Sequence, residues 1–257
     1  MWTGIKVGFK NFIRGLVYKV YHAYYKKISD KIPHYDLETI RIIKEFLPVD
    51  ANCVDVGVNE GQVFYYLTRH CTKGRIMGFE PIPFLYTYLR KKYANSRVQI
   101  FNHVLSNTSG QTEFFFYPQR PAVSGLMSRD IDKAIQPEKI QVGKKRLDDI
   151  YAYDRLDFIK IDVEGAEYLV LDGAREVIKK YKPLIIFESG FGGLDYFKNT
   201  PEDIIDLFES LDYRINTMAN FINKRLPFSR TGFLENFKKG YDYQFIAHHS
   251  SAVNMPE

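Results

Sequence analysis

The period of the apolar positions changes several times along the chain, and each change marks an element. Ile5, Phe9, Phe12, Ile13, Leu16 and Val20 recur at helical spacing, with Lys10, Arg14 and Lys19 away from the centre of that face, which predicts an amphipathic helix. "YDLETIRIIKEFL", between Pro33 and Pro48, predicts a short helix leading into the main domain. After it, compact apolar runs alternate with helical spacing: "ANCVDVG", then "EGQVFYYLTRH", "GRIMGFE", "PFLYTYLRKKYA", and "RVQIFNHVL" as a third strand. Strands joined by helices of this length need right-handed crossovers, hence a mostly parallel, doubly wound sheet with helices on both faces.

From Gly110 the alternation stops. "GQTEFFFY" and "KIQVGKKRL" are strand-like with no comparable helix between them and are expected to pair with each other. The intervening "PQRPAVSGLMSRDIDKAIQPE" has the composition of a long binding loop. "LDFIKID" and "PLIIFES" resume the buried-strand pattern on either side of one helix from Ala166 to about Lys180. "PEDIIDLFESL" predicts a helix capped by Thr200, and "YRINTMAN" with "DYQFIAHH", across a long loop, an antiparallel pair closing the sheet edge. The expected organisation is a helical extension over 1–45 and one α/β domain over 46–257.

Charge and cysteine content refine this picture. The whole chain carries +5, but residues 1–31 hold seven basic side chains against Asp30 alone, so the main body is close to neutral. That excludes the broad cationic surface nucleic acid needs. The lysines of the extension interrupt its apolar run too often for a transmembrane span or a signal-peptide core. Two readings of residues 1–31 remain: a peripheral membrane contact, or a helix packed on the domain or on a dimer partner. Cys53 and Cys71 are too few for a disulfide framework or a cysteine metal cluster, so a reducing, cytoplasmic setting is expected, with membrane association only peripheral.

Candidate chemistry gathers at the ends of the strands. In "DVGVNEG", Asp55 to Gly61, glycines allow a tight turn and close approach to backbone N–H groups. The dinucleotide fingerprint is G-x-G-x-x-G, and here Asp55 stands where its first glycine would be, so a pyrophosphate would meet a carboxylate. A cationic ligand suits that acid better, and S-adenosylmethionine carries an ammonium and a sulfonium. Glu80, ending "GFE" about twenty residues on, is placed to accept hydrogen bonds from two ribose hydroxyls.

The segments "CVDVGVNEG", "GFEPIP", "NHVLSNTSG", "KRLDDI", "LDFIKIDVEGAEYLVLDGA" and "PLIIFES" together resemble FkbM-type methyltransferases over about residues 50 to 190. The resemblance implies a seven-stranded Rossmann-like methyltransferase sheet, S-adenosylmethionine as cofactor, and O-methylation of a saccharide, glycolipid or secondary-metabolite hydroxyl. The family's first loop more often reads D-V-G-A-N, so Val58 is a departure expected to narrow the loop. Carried over to this chain, the backbone of Gly57 to Gly61 faces the methionine part, and Asp55 and Asn59 brace the loop or hold the ammonium. Glu80 takes the ribose, Pro81 and Ile82 wall the adenine, and Asn102 and His103 offer polar contacts to the base edge. Ser124, in the loop before "LDD", is expected to orient an acceptor hydroxyl.

Methyl transfer to oxygen needs an oxygen held in line with the departing sulfur and one base to take its proton. Asp162 and Glu188 end successive core strands, and strand ends in open α/β sheets converge on the ligand crevice. One reading has Asp162 holding the ammonium while Glu164 or Glu188 takes the hydroxyl proton. Another has Asp162 and Glu188 binding a divalent cation, although a metal wants more oxygen ligands than two. In a third, Glu164 and Glu167 only cap the following helix. Glu167 suits the third reading, and Asp162 a functional one. Two rivals to a methyltransferase are a nicotinamide-dependent oxidoreductase, weakened by the missing fingerprint, and a non-catalytic module of the same fold that docks on a membrane or partner.

Overall fold

The computed structural model describes residues 34–129, 135–190 and 193–252. The chain divides into two compact units at Leu37/Glu38, and the fold below is that of the second. The amphipathic helix expected near the N-terminus lies outside the described residues.

Helix α1 (His34–Phe46) leads into β1 (Cys53–Val56), α2 (Gln62–His70), β2 (Ile76–Phe79), α3 (Pro83–Lys92) and β3 (Val98–Phe101). After the second sheet come β7 (Phe158–Ile161), α5 (Glu167–Asp172), α6 (Arg175–Tyr181), β8 (Leu184–Glu188), α7 (Pro201–Ser210), β9 (Tyr213–Thr217), α8 (Met218–Ile222), α9 (Arg230–Lys239) and β10 (Gln244–His249). The main sheet has seven strands in the order β3-β2-β1-β7-β8-β10-β9. Neighbours from β3 to β8 are parallel, and β10 lies antiparallel to both β8 and β9. This is the expected doubly wound sheet with an antiparallel C-terminal pair.

Period-two alternation sends side chains to two cores. Val54, Val56, Ile159, Ile161, Ile185, Phe187, Phe245 and Ala247 face one side, packed with residues of α5, α6, α7 and α9. Cys53, Phe158, Ile186 and Ile246 face the other, against Ile42 and Ile43 of α1, Phe64 and Leu67 of α2, and Phe221 of α8. Cys53 and Cys71 are free and buried there, their Sγ atoms 3.7 Å apart. Val58, the departure from the family loop, also points into this core, so it does not narrow the loop.

Several expectations are corrected. "RVQIFNHVL" is two strands: β3 stays in the main sheet, while β4 (His103–Leu105) joins β5 (Gly110–Phe116) and β6 (Glu138–Lys145) in a second sheet of order β4-β6-β5. The chain leaves the main sheet at Asn102, whose side-chain amide donates to the carbonyls of Glu80 (3.0 Å) and Pro81 (2.8 Å). Strands β5 and β6 pair antiparallel as expected, and α4 (Leu147–Ile150) follows. The single helix expected from Ala166 is instead α5 and α6, broken at Gly173. A Cβ on Gly173 would lie 2.0 Å from the Ser106 carbonyl oxygen, and the Gly173 carbonyl accepts from Asp148 N–H at 3.1 Å. The link to the second sheet thus runs where a continuous helix would be. The long loop before β10 holds α8 and α9, capped by Thr217 and Ser229. Thr200 caps α7 in a reciprocal box with Asp203. No helix among the described residues is long and apolar enough to cross a membrane.

Candidate active site

The turn after β1 and the end of β2 are built as one piece. Gly57 and Val58 N–H groups donate to the Phe79 carbonyl at 3.0 and 3.2 Å. Gly57 is left-handed (φ +82°), and a Cβ there would lie 1.9 Å from the Asp162 carbonyl oxygen, so this position brings the glycine turn against the end of β7. Asn59, also left-handed, donates its N–H to Glu80 Oε2 at 2.7 Å, and Gly61 forms the N-terminal cap of α2. Glu80 Oε1 accepts from Ile82 N–H at 2.8 Å. Burial pushes the Glu80 carboxyl up to about 7, against the pull of those two N–H groups and helped by nearby Asp55. With one N–H on each oxygen, each still has a lone pair for a further donor.

Pro81 and Ile82 are buried beside this strut. Asn102, through its bonds to the Glu80 and Pro81 carbonyls, braces that wall. His103 belongs to β4, and its ring lies where a side chain on Gly143 of β6 would be, 2.5 Å from the Cβ position. Its Nδ1 is buried without a hydrogen-bond partner, and burial with nearby Lys145 pulls the imidazole below its usual value. The structure therefore groups Asp55, Gly57, Asn59, Gly61, Glu80, Pro81, Ile82 and Asn102, and turns the His103 ring against the second sheet.

The acids at the ends of β7 and β8 form a second group. Asp55 and Lys160 are neighbours across the β1/β7 ladder, and the Lys160 ammonium lies 3.8 Å from Asp55 Oδ1 and 3.0 Å from Asp162 Oδ2. Asp162 N–H donates to the Val56 carbonyl at 3.0 Å. Glu188 follows Phe187, the ladder partner of Ile161, and so ends β8 beside Asp162; burial followed by the charges of Asp162, Glu164 and Glu167 pushes it up to about 9. Glu164 is left-handed (φ +59°) and ion-paired with Arg129. Burial and then Asp162 push Glu164 up to about 7 against the Arg129 charge.

Glu167 is structural. Its Oε1 accepts from Val163 N–H and Gly165 N–H, both at 3.1 Å, which ties down the turn carrying Asp162 and Glu164. Burial pushes its carboxyl up to about 7. Ser124 is also turned inward: it is buried, and its Oγ accepts from Tyr117 N–H at 3.0 Å. Its loop is nonetheless beside the acids, since Gly125 pairs with Phe115 and its Cβ position is 3.4 Å from Glu164 Cβ. Sequence reasoning missed three residues. Lys160 was detectable as a lysine at a core position of a four-residue buried strand. Arg129 and Tyr117, whose hydroxyl bonds both the N–H and the carbonyl of Arg129, had no local signal.

The glycine turn after β1 and the acids ending β2, β7 and β8 all lie at the carboxyl ends of parallel strands. Residues 55–215, more than half of the chain, match the methyltransferase FkbM domain family. The chain belongs to that family. This FkbM domain is 28% identical over 162 residues to methyltransferase sdnD of Sordaria araneosa, a match covering 51% of this chain and 62% of that protein. It is 31% identical over 147 residues to methyltransferase 1 of Beauveria bassiana, covering 49% and 59%. The matches thus span less than two thirds of either fungal protein. A crystal structure of methyltransferase FkbM from Methylobacillus flagellatus is similar over 79% of this chain and 44% of the other, with 18% identity and a TM-score of 0.48. Among the described residues no three His, Cys, Asp or Glu side chains are grouped to hold a metal ion. The Lys160 ammonium stands 3.0 Å from Asp162 Oδ2.

Proposed function

We propose that this FkbM domain transfers a methyl group from S-adenosylmethionine to a hydroxyl of a saccharide, glycolipid or secondary metabolite. The observation that carries the reading is the junction of the two groups of residues: the Gly57 turn packs on the Asp162 carbonyl, so an anion at the end of β7 stands beside the nucleotide-type loop. A carboxylate there fits an ammonium and opposes a pyrophosphate, which favours S-adenosylmethionine over a nicotinamide dinucleotide.

The chain's residues fit the cofactor. Asp162, with Asp55 behind it, is assigned to the ammonium, the backbone of Gly57 to Gly61 to the methionine part, the spare lone pairs of Glu80 to the ribose, and Pro81 with Ile82 to the adenine. When bound, the cofactor supplies an electrophilic methyl. Glu164 is the better-matched base, because a carboxyl held near 7 can both take and release a proton at neutral pH. Glu188, held near 9, keeps its proton at that pH and is assigned to donate a hydrogen bond. Arg129 holds Glu164 until an acceptor hydroxyl replaces it.

Calorimetry with S-adenosylmethionine, its demethylated product and NAD tests the cofactor. Binding of the first two and not the third is expected, and binding of NAD alone would overturn the proposal. A Glu80→Ala variant with undiminished affinity would remove the ribose assignment. Incubation with candidate glycans and metabolites, read as a mass gain of one methyl group, tests the acceptor class.

A further inference from the structure

Lys160 is an unusual residue for its place. It stands on β7 between core neighbours, with a side chain 8% exposed, on the face that also carries Phe158 and Ile186. A buried lysine is rare unless paired. Its ladder neighbours are Asp55 on β1 and Ile186 on β8, and two residues on, the same face of the chain reaches Asp162. The ammonium is nearer Asp162 (3.0 Å) than Asp55 (3.8 Å).

Among the described residues, the charged groups that face this cluster include several acids and one guanidinium. Glu80, just after β2, lies behind Asp55, and Tyr93, the C-terminal cap of α3, also feels the Asp55 charge. Glu164 and Glu167 come from the turn after β7, Arg129 from the long loop, and Glu188 from β8, where its ladder partner on β10 is uncharged Gln244. Arg129 is ion-paired with Glu164. The ammonium that touches the Asp162 carboxylate is therefore the one on Lys160.

Two carboxyls side by side at adjacent strand ends hold one proton between them, and a nearby cation decides which keeps the charge. We propose that Lys160 is a positioning residue that fixes Asp162 as the anion of the Asp162–Glu188 pair and leaves the shared proton on Glu188. This rests on the reading of Asp162 as the ammonium-binding acid. Its consequence is that the ligand's ammonium meets a preformed carboxylate and the shared proton need not move from Asp162 to Glu188 on binding. The raised titration of Glu188 agrees with the assignment.

The test compares the full chain with Lys160→Met and Lys160→Arg. In the unliganded proteins, carboxyl-carbon NMR titrations follow Asp162 and Glu188. In the wild type, Glu188 alone of the two is expected to show the alkaline step. In Lys160→Met both carbons should report it, with the midpoint raised by about 1–3 pH units, and Lys160→Arg should restore the wild-type pattern. A folded Lys160→Met with wild-type titrations overturns the assignment. So does a wild-type Asp162 that carries the proton at neutral pH, a result that needs no variant. Failure of the wild type to bind S-adenosylmethionine would refute the cofactor reading, while the unliganded titrations still judge Lys160.

Discussion

Gly57→Ala tests the junction on which the site depends. The new methyl would sit 1.9 Å from the Asp162 carbonyl oxygen, where real Cβ contacts stay beyond 3.0 Å. Neither backbone segment is free to withdraw, because Gly57 N–H is bonded to the Phe79 carbonyl and Asp162 N–H to that of Val56. The left-handed dihedral costs an L-residue about 1–2 kcal/mol. Forcing apart two packed segments adds about 1–3 kcal/mol. The expected loss is about 2–5 kcal/mol, or a fall in melting temperature of roughly 5–15 °C for a domain of this size. Moving the turn off β7 should also weaken S-adenosylmethionine at least about tenfold, that is by about 1.4 kcal/mol. Gly110→Ala is the control: its φ is also positive (+146°), but nothing lies within 4 Å of its Cβ position, so only the dihedral cost applies. Chemical unfolding and calorimetry on both variants give the comparison. Equal losses of stability in the two would refute the argument that contact with Asp162 is what requires glycine at 57.

Other predictions concern the acids. Glu167→Ala leaves the buried N–H groups of Val163 and Gly165 without their acceptor, and at about 1–3 kcal/mol for each the loss should be roughly 2–5 kcal/mol by denaturant unfolding. Glu167→Gln keeps an oxygen there and should lose far less; equal losses would refute the role. Glu188 is raised from 4.5 to about 9, so its contribution to stability is full below pH 4.5 and is lost as pH rises toward 9. Glu80, Glu164 and Glu167 follow the same sign but finish near 7. Between pH 7 and 9 the unliganded wild type should therefore lose about 2–3 kcal/mol more than Glu188→Gln, at up to about 1.4 kcal/mol per pH unit for one proton. Parallel stability curves over that range would show that Glu188 does not hold the proton.

The main sheet was readable because its buried strands are short apolar runs separated by helices, and the acids ending them fall at core-facing or crevice positions. What escaped was decided by partners far away in the chain. The alternating pattern runs through Asn102 without interruption, and only the carbonyls of Glu80 and Pro81 reveal that the strand ends there. Gly173 breaks a helix because Ser106 passes against it, and a lone glycine in a helical pattern does not say so. Ser124 was expected at the acceptor because its loop resembles the serine-containing segment before "LDD" in the family, yet Tyr117 N–H claims its oxygen. Arg129 reaches Glu164 from a loop whose composition signals only length and mobility of sequence. Lys160 was the exception, a charge at a core position that the pattern itself displayed.

The strand order has a consequence for how the protein is made. Strand β10, the last among the described residues, sits between β8 and β9, and its Phe245, Ile246 and Ala247 fill both cores. A chain emerging from the ribosome therefore carries β8 with an open edge and β9 with no partner until residues beyond His249 have cleared the exit. Exposed strand edges of this kind invite mispairing, so the nascent chain has a window in which chaperone binding and ligand at the already complete β1 to β8 crevice compete with aggregation.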